Sequence, residues 1–137
     1  MGRILALDYG KKRTGVAVTD PLKLIASGLT TVPTGSLVSW LETYMGREQV
    51  ERFVVGEPRN RDGSPTDATA MADRFVRTLQ RRFPTVPVSR VDERFSSVMA
   101  SRSMLESGMK KKDRRNRALV DEISATILLQ GYLQSGI

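Results

Sequence analysis

Three carboxylates stand where acids can do chemistry. Asp8 ends the short apolar run at residues 4–7, and Gly10 just behind it lets another group approach the backbone closely. Glu93 follows a second strand-like run, and sheets covered by helices on both faces put ligand sites just beyond such strand ends. Asp92 competes with it, but neighbours leaving a strand point to opposite sides, so one of the two should face a given site. Asp121 shares a helical face with Ala125, Leu128 and Tyr132. An acid on that inner stripe is expensive unless paired, hydrogen-bonded or bound to a cation. Each acid also has an ordinary explanation: a turn former at Asp8, an ion pair with Arg90 or Arg94 at Glu93, and complement to the helix dipole at Asp121.

Read together, the acids converge from two strand ends and one helix on one rim of a sheet. Such a set can hold two divalent ions about 3.5–4 Å apart, which activate water and stabilise the leaving oxygen of a phosphodiester. The 137 residues contain no histidine and no cysteine, which excludes a Ser-His-Asp triad within the chain, thiolate nucleophiles, disulfides and Cys/His zinc sites. Hard oxygen ligands remain, and they suit Mg²⁺ or Mn²⁺, two ions completed by the substrate.

The elements that must position these acids can be read from periodicity. Residues 4–7 and 14–19 predict a hairpin across the turn at 8–13, and residues 29–32 a third strand. Leu37, Leu41, Tyr44 and Met45 fall at helical spacing over 36–48. Residues 52–56 read as a buried strand, followed by a polar loop. Ser64 and Pro65 then predict a capped helix whose stripe is Met71, Phe75, Leu79 and Phe83, with Ala72 and Val76. Residues 86–91 alternate as a strand. A helix from Ser96 or Ser97 stops at Gly108, and a last one runs from Ala118 to about Leu133. Three strands in hairpin order followed by alternation predict one α/β domain over 1–137, a mixed sheet with helices on both faces.

The residues also carry a resemblance. Leu7-Asp8-Tyr9-Gly10 with Arg13-Thr14-Gly15-Val16-Ala17-Val18-Thr19-Asp20 is similar to the opening motif of the bacterial YqgF/RuvX family, Holliday-junction-resolvase-like proteins also described as pre-16S ribosomal RNA nucleases. The resemblance continues in Val54-Val55-Gly56-Glu57-Pro58, in Val91-Asp92-Glu93-Arg94-Phe95-Ser96-Ser97 and in Asp121-Glu122-Ile123-Ser124-Ala125, covering essentially the whole chain. It implies an RNase H-like fold with sheet order 3-2-1-4-5, strand 2 antiparallel. It implies a nuclease that matures the 5′ end of 16S ribosomal RNA, with Asp8, Glu93 and Asp121 as catalytic, metal-binding acids. The family usually has an apolar residue where this chain has Glu57, and in the related RuvC resolvases an acid follows the equivalent strand. Glu93 is preferred because it sits in the family's own motif, and Glu57 stays open beside it as a ligand, as does Asp92.

The chain carries a net charge of +7. Lys110, Lys111, Lys112, Arg114, Arg115 and Arg117 crowd the approach to the last helix. Lys11, Lys12 and Arg13 follow Asp8, Arg59 and Arg61 sit after the fourth strand, and Arg94 follows Glu93. A basic rim around metal-bearing acids would hold a nucleic-acid backbone by neutralising phosphates. The expected partner is structured RNA, with branched DNA as the alternative; the expected protein is cytoplasmic, with no membrane association, and a monomer or weak homodimer. Three functions stay open: an RNA endonuclease, a Holliday junction resolvase, and a non-catalytic nucleic-acid-binding factor in ribosome assembly. A two-lobed ATPase with a similar opening hairpin does not fit the length, and no Gly-x-x-x-x-Gly-Lys-[Ser/Thr] loop is present.

Overall fold

A computed structural model of the chain describes residues 2–93 and 117–134. Its strands are β1 (Arg3–Asp8), β2 (Arg13–Thr19), β3 (Ala26–Pro33), β4 (Val50–Glu57) and β5 (Val88–Asp92), joined in one sheet of order β3-β2-β1-β4-β5. β2 runs antiparallel to both β1 and β3, while β1, β4 and β5 are parallel. The helices are α1 (Leu37–Met45), α2 (Asp67–Arg82) and α3 (Arg117–Gln134).

The central strands are apolar on both sides because both faces are covered. Leu5 and Leu7 of β1, with Val16 and Val55, pack under α1 and α2 against Leu37, Leu41, Phe75 and Leu79. Ile4, Ala6, Ala17, Val54 and Val91 turn the other way, against Ala125, Leu129 and Tyr132 of α3. Strand alternation then assigns the rim: Asp8, Arg13, Gly15 and Gly56 fall on the α3 side, and Glu57, Arg90 and Asp92 on the α2 side.

α3 lies close to the sheet because the residues beneath it are small. At Gly15 a Cβ would fall within contact distance of the Asp121 carbonyl oxygen and 3.1 Å from the Glu122 nitrogen. Gly15 is also the register partner of Asp8. This packing carries Asp121, more than a hundred residues away in sequence, to the end of β1.

Several boundaries differ from the sequence expectation. β3 runs longer than 29–32, as an outer strand whose Ser, Gly and Thr residues gave no apolar signal. α2 is capped by Thr66, not Ser64. Thr66 Oγ1 accepts from the Thr69 N–H at 3.2 Å while Thr69 Oγ1 accepts from the Thr66 N–H at 2.8 Å. Ser64 instead donates its N–H to Asp62 at 2.9 Å and closes the preceding loop. Val86 belongs to the turn before β5, where its N–H donates to the Phe83 carbonyl at 3.0 Å. The helix expected from Ser96 or Ser97 to Gly108 lies outside the described residues. No described helix is long and apolar enough to cross a membrane.

Candidate active site

The parallel strands end flush, with Leu7 beside Val55, Gly56 beside Val91 and Glu57 beside Asp92. Asp8 is the last residue of β1. Glu93 lies one step past β5, where its N–H donates to the Glu57 carbonyl at 3.1 Å and extends the ladder by one bond. Its side chain folds across Gly56, so close that a Cβ there would meet the Glu93 Cγ and Oε2 at 2.7 Å. This places the carboxyl beside Asp8, and the two side chains share a hydrogen bond.

Two carboxylates in contact cannot both ionise cheaply. Burial pushes the Glu93 carboxyl up to about 10, helped by its hydrogen bond to Asp8 and by the Asp8 charge. Burial also raises Asp8; the Glu93 hydrogen bond opposes that rise and the Asp121 charge adds to it. Glu93 is thus the protonated partner, donating to the Asp8 carboxylate.

Asp121 stands near enough to act on Asp8 through its charge, but its own Oδ2 accepts from Arg13 Nε at 3.1 Å. Arg13 is the first residue of β2, and the hairpin before it is stapled. The Thr34 N–H donates to the Lys12 carbonyl at 3.0 Å, and the Thr34 hydroxyl donates to the Gly10 carbonyl at 2.6 Å. Lys11 and Lys12 remain exposed on this hairpin.

The alternative acids sit elsewhere. Glu57 pairs with Arg59 and lies 3.9 Å from Arg90, which also bonds Asp73 of α2 at 2.8 Å. Asp92 is exposed on that same side. Arg59 also donates to the Gly63 carbonyl at 2.9 Å, and Arg61 is exposed nearby. Arg94, Lys110, Lys111, Lys112, Arg114 and Arg115 lie outside the described residues, as does the Arg117 side chain. Sequence reasoning overlooked Gly15 and Gly56, although glycine inside a strand is itself a sign of close approach.

Asp8 and Glu93 therefore form a touching pair on which the Asp121 charge acts, while the Asp121 carboxylate itself is bonded to Arg13. Among the described residues no three carboxylates stand together as a ready-made ligand cage. The donors are nonetheless all hard oxygens, and the proton shared by the pair stands where a cation would relieve the same repulsion. On that chemistry the residues fit Mg²⁺ or Mn²⁺.

A family model described as RuvX, Holliday junction resolvase, matches residues 2–135. A Bacteroides thetaiotaomicron protein named "Putative pre-16S rRNA nuclease" is 56% identical over 135 residues, covering 98% of each chain. One of the same name from Christiangramia forsetii is 58% identical over 133 residues, covering 97% of this chain and 98% of that one. Among solved structures, Thermus thermophilus RuvC in complex with a Holliday junction substrate aligns with a TM-score of 0.61 at 18% identity, covering 98% of this chain and 96% of that one. That likeness shows the RNase H-like fold.

Proposed function

The chain belongs to the RuvX family of Holliday-junction-resolvase-like nucleases, and from that premise we propose that it is a Mg²⁺- or Mn²⁺-dependent endonuclease that cuts structured RNA at the 5′ end of the 16S ribosomal RNA precursor. The observation that carries this reading is the contact between Asp8 and Glu93 at the ends of two strands, with Asp121 over the same rim. Asp8 and Glu93 would hold the cation, and Asp121 would join them once released from Arg13. When bound, the cation supplies the Lewis acidity that activates water and stabilises the leaving oxygen.

The chain's own residues supply the rest. Gly56 and Gly15 keep the carboxyl groups close by removing side chains between them and the sheet. Arg13, Lys11 and Lys12 line the hairpin beside the pair and would fix the phosphate backbone. The basic run at 110–117 would extend that grip along the strand. RNA is favoured over branched DNA because relatives more than half identical over nearly the whole chain carry the ribosomal RNA name.

The test is a side-by-side incubation of wild type and Asp8→Asn with a 16S precursor fragment and a four-way DNA junction, in Mn²⁺ or EDTA. The expected result is RNA cleavage that EDTA stops and Asp8→Asn abolishes while the variant stays folded. Preference for the junction would assign the activity to DNA. Tight RNA binding without cleavage would make the protein a binding factor.

A further inference from the structure

We propose that Arg13 is a positioning residue that holds Asp121 in reserve, neutralising the carboxylate until a divalent cation takes it and then turning its own charge to a phosphate of the substrate. The inference rests on the metal reading above and goes beyond it by coupling cation loading to substrate grip through one side chain.

The geometry supports an exchange in which little but side chains moves. Arg13 and Asp8 fall on the same side of the sheet as α3, and the Arg13 Nε to Asp121 Oδ2 contact at 3.1 Å joins the hairpin to that helix. The backbones on both sides are pinned. Thr34 fixes the turn through Gly10 and Lys12, and Gly15 packs directly against the Asp121 backbone. Thr14 and Thr34 add a hydroxyl contact at 3.0 Å under the start of β2. Arg13 therefore cannot drift far, and neither can Asp121.

The pair is also weak enough to trade. Its side chains are 35% and 26% exposed. An ion pair so open to solvent changes an equilibrium constant by only about two- to fivefold. A divalent cation held by Asp8 and Glu93 would attract Asp121 more strongly than the singly charged guanidinium does. Meanwhile the charge of Asp121 already acts on Asp8. In the protein without a cation, Arg13 offsets that repulsion. Once a cation supplies the offset, the guanidinium is surplus there, and it stands at the rim where Lys11 and Lys12 already present positive charge. Its planar fork suits a phosphate.

The experiment titrates Mn²⁺ alone into the full chain, without nucleic acid, and reads free Mn²⁺ by electron paramagnetic resonance. Wild type should bind, and Asp121→Asn should bind more weakly. Arg13→Gln should bind about two- to fivefold more tightly, because a competitor has gone. In the double variant the Arg13 change should have no effect. In cleavage assays Arg13→Gln should need less Mn²⁺ for half-maximal rate while the KM for RNA rises. A merely structural role would loosen the site and weaken both. Urea melts check folding, and Arg13→Lys, which keeps a charge but loses the fork, should show the same pair of shifts in smaller measure. Mn²⁺ affinity that is unchanged or lower in Arg13→Gln overturns the inference, as does an unchanged KM for RNA. Absence of Mn²⁺ binding by wild type would instead remove the metal reading, and this inference with it.

Discussion

Gly56→Ala should separate stability from activity. The added Cβ would lie 2.7 Å from the Glu93 Cγ and Oε2. Ordinary carbon contacts begin at about 3.5 Å, so the carboxyl group must retreat by roughly 1 Å. That retreat opens the contact with Asp8. Misplacement of a reacting group by about 1 Å can lower a rate by about 100-fold. Folding should barely notice. The displaced group is the end of a side chain beyond the strand, and alanine in a strand interior is favoured over glycine by roughly 0.5–1 kcal/mol. The assay pairs single-turnover cleavage of the precursor RNA, at saturating Mn²⁺, with urea melts in EDTA. Gly131→Ala is the control: nothing lies within 4 Å of its added Cβ. It should gain up to about 1 kcal/mol of helix stability with no change in rate. Cleavage by Gly56→Ala at the wild-type rate would refute the claim that this glycine exists to seat Glu93. Loss of folding would show that it serves the sheet instead.

Three more outcomes follow from the geometry. Without a cation, folded Glu93 keeps its proton up to about 10 against an ordinary 4.5. The unfolded chain has lost that proton above 4.5, so the stability this group contributes is full below that pH and declines as pH rises toward 10. Urea melts in EDTA should show a shallower fall for Glu93→Gln; parallel slopes would contradict the shared proton. Leu7 is 0% exposed, so Leu7→Ala should lose about 2–5 kcal/mol in melts, whereas Asp8→Asn next to it should lose none. Replacing Lys11 and Lys12 together by Gln should flatten the salt dependence of RNA affinity by about 1–2 in log–log slope; an unaltered slope would take the hairpin out of the nucleic-acid interface.

Much of this arrangement was legible in the chain because strong local signals coincide with the elements that matter. The run before Asp8 reads as a strand buried on both faces, and it is one. The stripe through Asp121, Ala125, Leu128 and Tyr132 reads as inward, and Ala125, Leu128 and Tyr132 are buried. The family motif favours Glu93 over Glu57, but the side to which Glu57 turns was not legible, for a physical reason. In a surface-exposed strand, polar residues mark the phase. In β4 both faces are covered, so Phe53, Val54 and Val55 form one unbroken apolar run and the phase is silent. Only packing reveals that Val54 faces α3 while Phe53 and Val55 face the other layer. One residue of phase then sends Glu57 to Arg59 and Arg90, and leaves Gly56 as the open floor across which Glu93 folds.

The same argument explains why the Arg13 to Asp121 pair had no sequence signature. The partners are 108 residues apart, and what joins them is a missing side chain at Gly15 rather than a motif. A strand glycine signals close approach without naming what approaches. Here it is the backbone of α3, and the consequence is electrostatic. Because α3 can settle onto the hairpin, Asp121 adds a second negative charge beside Asp8, and the hairpin supplies the positive charge that offsets it. Close packing and charge are therefore one requirement at this rim. A bulkier residue at position 15 would lift the helix and so remove both the third acid and the contact that keeps it neutralised, whereas Asp121→Asn would remove the charge and leave the packing. Comparing Mn²⁺ binding in Gly15→Ala and Asp121→Asn separates the two: equal weakening means the helix matters only as the carrier of its acid, and a larger loss in Gly15→Ala means that its position also shapes the Asp8 and Glu93 pair.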